Sequence, residues 1–87
     1  MIRMEADSKL SPREVVEKAR AFFGPGGLGM EVTEMADCCA RFAGGGGQVY
    51  IQAAPPRPRS GEKPSGSRVE IQGREWDYQI RQFLGQI

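Results

Sequence analysis

Apolar and polar residues alternate from residue 2 to residue 7, with Ile2, Met4 and Ala6 on one side and Arg3, Glu5 and Asp7 on the other. That period of two predicts a short, half-buried strand. Ser11-Pro12-Arg13-Glu14 then carries the marks of a helix start: a serine to cap, proline at the first helical position, and glutamate three places after the serine to close a capping box. Val15, Val16, Ala19, Phe22 and Phe23 recur at helical spacing behind it, and Gly24-Pro25-Gly26-Gly27 stops the helix, since proline cannot continue one. Residues 28 to 43 fit two patterns. Val32, Met35, Ala36, Cys39, Ala40 and Ala43 make a helical stripe, whereas Leu28, Met30, Val32, Ala36, Cys38, Ala40 and Phe42 share one face of two strands that turn near Ala36-Asp37. The strand pattern is preferred, because Val, Thr and paired Cys are mediocre helix formers and because Arg41-Phe42-Ala43 runs through four glycines into Gln48-Val49-Tyr50-Ile51-Gln52 as a hairpin would.

After the glycines Val49, Ile51 and Ala53 face one way and Tyr50 and Gln52 the other, up to Pro55-Pro56. From Pro55 to Ser67 the chain holds proline, glycine, serine and charge with nothing to anchor it in a core, which predicts a mobile loop over 55–67 between the last two strands. Arg68-Val69-Glu70-Ile71-Gln72 reads as a final strand, and Trp76, Ile80, Phe83, Leu84 and Ile87 as one face of a closing helix supported by Asp77 and Arg81 at i,i+4. The predicted order is strand, helix, four strands, helix. It describes a single α+β domain over 1–87, a two-layer sandwich with an antiparallel curved sheet, two helices on its apolar face and the other face open to water. The expected core is Ile2, Met4, Val15, Ala19, Phe22, Phe23, Val32, Phe42, Val49, Ile51, Val69, Ile71, Trp76, Ile80, Phe83 and Leu84.

Length and composition narrow the function. An 87-residue chain buries about 60% of the surface its unfolded form exposes, leaving little room for a deep catalytic cleft. The net charge of +1 argues against broad affinity for nucleic acid or anionic membrane. No apolar run is long enough to span a bilayer, and the first residues lack a signal peptide's apolar centre, so the expected location is cytoplasmic. The chain has no histidine and its two cysteines, Cys38 and Cys39, are adjacent, which removes histidine-dependent nucleophiles and Cys/His zinc sites; no cofactor or metal is expected. Cys38 and Cys39 read as one small core residue and one partly exposed thiol.

The segments that could carry chemistry have plainer explanations. Gly24 to Gly29 lacks the Lys-Ser/Thr of a phosphate loop and follows a helix instead of opening one, and Gly44 to Gly47 fits a hairpin turn. Glu34 interrupts the apolar side of its strand, and a bulge or strand end that swings it to solvent accounts for it. The basic concentration of the chain is Arg57, Arg59, Lys63 and Arg68 against Glu62, while Tyr50 is the single aromatic placed on the open sheet face for base stacking.

The β-α-β4-α layout resembles the helix-grip proteins of the START/Bet v 1 superfamily and a half-repeat of the TATA-binding protein. The run from Glu75-Trp76 to Phe83-Leu84, an aromatic opening a last helix that closes with Phe-Leu, is similar to the end of many helix-grip domains. The resemblance implies a curved sheet wrapped on the C-terminal helix. Its helix-grip side implies a small apolar ligand between that helix and the sheet. Its TATA-binding side implies nucleic acid on the open face, where this chain places Glu31, Thr33 and Glu70 beside Arg41, Arg68 and Tyr50.

The expected function is a non-enzymatic binding or assembly module acting through its sheet face or edge, with a protein partner or a second copy of itself. A small apolar ligand is the alternative and nucleic acid the weaker one. The candidate binding residues are Arg41, Tyr50, Gln52, Arg57, Arg59 and Arg68.

Overall fold

The computed structural model describes residues 2–56 and 66–87. In chain order the elements are β1 (Ile2–Ser8), α1 (Pro12–Phe23), β2 (Glu31–Met35), β3 (Cys39–Gly44), β4 (Gly47–Ala54), β5 (Ser67–Arg74) and α2 (Asp77–Leu84). The five strands form one sheet in the order β1-β5-β4-β3-β2, every neighbouring pair antiparallel, so β1 and β2 are the two edges and run parallel to each other. The predicted layout is therefore the observed one. Candidate residues Arg57 and Arg59 lie outside the described residues, as does most of the 55–67 loop.

Helix α1 begins as its sequence dictates. The Glu14 N–H donates to Ser11 Oγ at 3.3 Å and the Ser11 N–H donates to Glu14 Oε1 at 3.2 Å, which satisfies two backbone donors that a helix start would otherwise leave unpaired. The β3–β4 hairpin turns on two residues, Gly45 and Gly46, at φ +59° and +80°, with Gly44 paired to Gly47. Two successive positive φ values suit the right-handed twist of the flanking strands, and glycine adopts them without a steric penalty.

Residues 28 to 43 are two strands, with one correction to their phase. The β2–β3 register slips between Val32 and Glu34, so Val32 and Met35 point toward the helices while Glu34 turns to the open face opposite Arg41. This bulge resolves the interruption that Glu34 makes in the apolar pattern. It also moves Ala36 and Cys38 off the core face: both are exposed in the bend before β3, and Leu28 is exposed as well.

The core lies between the sheet and both helices. Val15, Val16, Ala19 and Phe23 of α1 and Ile80 and Phe83 of α2 pack on Ala40, Phe42, Val49, Ile51, Ala53, Val69 and Ile71. Four phenylalanine rings occupy the middle, with centroids 4.9 Å (Phe22–Phe23), 5.7 Å (Phe22–Phe83), 5.6 Å (Phe23–Phe42) and 5.3 Å (Phe23–Phe83) apart. Fully burying a side chain of this kind contributes about 1.5–3 kcal/mol. Every expected core residue is buried or half-buried; Met30, Val16, Ala40 and Ala53 join them. Trp76 is only half-buried and serves as a strap, its Nε1–H donating to Gly44 O at 2.9 Å across the β3–β4 turn.

Two serines close the other end. Ser67 Oγ–H donates to Leu10 O at 2.6 Å and Ser8 Oγ–H donates to Ile87 O at 2.9 Å, tying β5 to the chain before α1 and β1 to the chain beyond α2. No described helix is long and apolar enough to cross a membrane.

Candidate functional site

The open face of the sheet is set by strand parity. On β4 it shows Gln48, Tyr50 and Gln52, on β5 Arg68, Glu70, Gln72 and Arg74, on β3 Cys39 and Arg41, and on β1 Arg3, Glu5 and Asp7. Direct register makes a row across it, Glu34, Arg41, Tyr50, Gln72 and Arg3 in turn.

The β1–β5 side is internally neutralised. Arg3 Nε lies 2.9 Å from Glu70 Oε1 and its Nη2 3.5 Å from Glu5 Oε1, while Arg68 Nη2 lies 3.1 Å from the other Glu5 oxygen. Gln72 Nε2–H also donates to Glu70 Oε1 at 3.1 Å. The Gln72 hydrogen bond, with Arg3 next, holds the Glu70 carboxyl below the usual carboxylate value.

The other side is arranged differently. Arg41 lays its guanidinium over the Tyr50 ring, Cζ 4.9 Å from the ring centroid, a cation–π contact. Beside it a shallow depression of about 310 Å³ is lined by Arg41, Gln48, Tyr50, Gln72, Gly73 and Arg74. Among the described residues, neither Arg41 nor Arg74 has a carboxylate oxygen within 4.0 Å, although Glu34 faces Arg41 in register. Two guanidiniums and two side-chain amides thus ring a half-buried phenol, with donors in excess of acceptors.

Cys39 borders this site. Burial pushes its thiol up, with hydrogen bonding to Cys38 acting in the same direction, and hydrogen bonding with Cys39 raises the Tyr50 phenol in turn. Both groups are therefore held in their protonated forms. Cys38 is exposed, so of the two thiols it is Cys39 that has a packed environment, and it is half-buried on the open face. Among the described residues no three His, Cys, Asp or Glu side chains gather as a metal site would require.

Of the candidate residues, Arg41 and Tyr50 stand together at the depression. Gln52 follows Tyr50 on the same face, between Cys39 and Glu70 in register, outside the lining. Arg68 is far from it along β5, paired with Glu5 and set opposite Asp7. Sequence reasoning missed Gln48, Gln72 and Arg74. All three were signalled by parity, Gln48 in phase with Tyr50, and Gln72 and Arg74 in phase with Arg68; ending the last strand at Gln72 left Arg74 out. No family model, no curated protein and no solved structure matches this chain.

Proposed function

We propose that the chain is a non-enzymatic binding module whose open sheet face receives an acidic segment of a protein partner at the depression formed by β3, β4 and β5. One observation carries this reading: on a face where Arg3 and Arg68 are already paired, Arg41 and Arg74 flank a concave site without a carboxylate partner among the described residues. A guanidinium presents a rigid fork of donors that matches a carboxylate, and a charge-assisted hydrogen bond is about twice as strong as a neutral one. Gln48 and Gln72 add amide donors able to serve the partner's backbone carbonyls. The space between the helices and the sheet is occupied by the phenylalanine cluster, so the outer face is the favoured surface.

A titration with a glutamate-rich peptide, followed by amide NMR, tests the reading. Shifts are expected at Arg41, Tyr50, Gln72 and Arg74, with affinity that falls as salt rises. Shifts confined to the Arg3–Arg68 side, or binding indifferent to salt, would remove it. A short DNA duplex run in parallel separates the nucleic-acid alternative, which requires the same residues to respond to the duplex and not to the peptide.

A further inference from the structure

The two edges of the sheet are unlike. β2 is five residues long, broken by the register slip between Val32 and Glu34, and its Glu31 and Glu34 are exposed. A short, bulged, charged edge is how sheets prevent a further strand from pairing. β1 is neither short nor bulged, and its exposed charges, Arg3, Glu5 and Asp7, are of mixed sign. It runs seven residues in unbroken register with β5, contains no proline, and among the described residues leaves one side of its backbone without a strand neighbour, while Ile2, Met4 and Ala6 are only half-buried on the helix side.

We infer that β1 pairs antiparallel with β1 of a second copy of this chain, joining two five-stranded sheets into one of ten strands. The sequence of β1 is self-complementary in one register. In a continuous sheet with all helices on one side, side chains opposite each other must share a face, so a two-fold axis must pass between a residue and its own equivalent. Centring on Arg3 opposes two arginines, and centring on Glu5 opposes two glutamates. Centring on Met4 sets Arg3 of each copy opposite Glu5 of the other on the open face, and Ile2 opposite Ala6 on the helix face. Opposite charges directly across a pair of strands are stabilising and like charges are destabilising. The closed β2 edge supplies the other half of the argument: with one edge blocked, growth ends at two copies instead of continuing into a fibre. The inference does not depend on the acidic-partner reading, because Arg3 and Glu5 lie outside the depression.

A single strand per copy is a small interface, so the association is weak and concentration-dependent. Sedimentation equilibrium on the unaltered chain, over about a hundredfold range reaching roughly 1 mM, is expected to show the mass rising from 9.6 kDa toward twice that value. A mass that stays at 9.6 kDa throughout overturns the inference. Arg3→Glu and Glu5→Arg, each on its own, place like charges at both pairing positions and are expected to weaken self-association about tenfold. Mixed in equal amounts, the two variants restore opposite charges and are expected to recover the lost association as a heterodimer. Single variants that associate as the unaltered chain does, or a mixture without recovery, overturn the register and the β1 edge with it. Circular dichroism of each variant confirms that the fold is intact, as expected for two exposed side chains.

Discussion

The two sides of the open sheet face use arginine to opposite ends. Toward β1, Arg3 and Arg68 share Glu5 and Glu70, and that part of the surface is close to neutral at short range. Toward β3, Arg41 rests on Tyr50 and Arg74 stands at the rim of a depression, each without a carboxylate within 4.0 Å among the described residues. The difference comes from the neighbours that register supplies. Glu70 sits one pleat from Gln72, the residue opposite Arg3, whereas the residue opposite Arg41 on β4 is an aromatic. A near-neutral chain can therefore present a locally cationic site, because pairing decides which charges a partner meets.

The floor of that depression is the most sensitive point. Gly73 is buried in β5, and a Cβ there would run into Ile80 Cδ1 of α2. Gly73→Val must displace the buried Ile80 side chain from its packing, so a loss of about 2 kcal/mol is expected. Urea unfolding measures the loss. A variant as stable as the parent would show that α2 does not hold this end of the sheet.

The next largest effect separates the two sides directly. Arg41→Ala combined with Arg74→Ala is expected to lower affinity for an acidic peptide about tenfold or more, with a stability loss of no more than about 1 kcal/mol from the Tyr50 contact. Arg3→Ala combined with Arg68→Ala is expected to leave that affinity nearly untouched, since those guanidiniums are already engaged. Equal losses from both pairs, read by isothermal titration, would dissolve the distinction.

A gain is expected from the opposite manipulation. Glu5 holds both Arg3 and Arg68, so Glu5→Gln frees one arginine wholly and the other in part. Exposed ion pairs contribute about 0–1 kcal/mol, so stability should fall by less than about 1 kcal/mol. The footprint of the acidic peptide, mapped by amide shifts, should extend from the depression toward Arg68. A footprint that does not move would mean that the shape of the depression, more than charge pairing, localises the partner.

Most of this architecture was legible in the chain, and the unread part has definite causes. Ser11 with Glu14, the alternation in β1, β4 and β5, and the spacing from Ile80 to Phe83 are local signals, and each produced its element. The phase of β2 was not local: Glu34 reaches the open face only because the strand slips one residue against β3. The site was half legible for a related reason. Parity places Gln48, Tyr50, Gln72 and Arg74 on one face, but which of them meet depends on the β4–β5 register, set by pairing between strands well separated in the chain. That register sets Arg68 opposite Ala54, away from Arg41, and the β1–β5 register brings it within reach of Glu5.

The sign of the acid response on the β1 side follows from Glu70. The Gln72 hydrogen bond and the Arg3 ion pair hold this carboxyl below the ordinary value of 4.5 in the folded chain, so folding favours its ionised form. A group of this kind contributes stability that is fully present above its unfolded value and is lost as pH falls through its folded value. Below pH 4.5 the denaturation midpoint of the parent should therefore decline, and Glu70→Gln, which has no proton to gain, should decline less steeply. Glu14, held down by the Ser11 cap, titrates in the same sense in both proteins and cancels in the comparison. The chemical shifts of Gln72 and Arg3, which contact this carboxylate, should move with the Glu70 proton. Parallel midpoint curves for the two proteins would show that Glu70 is not what neutralises the β1 side.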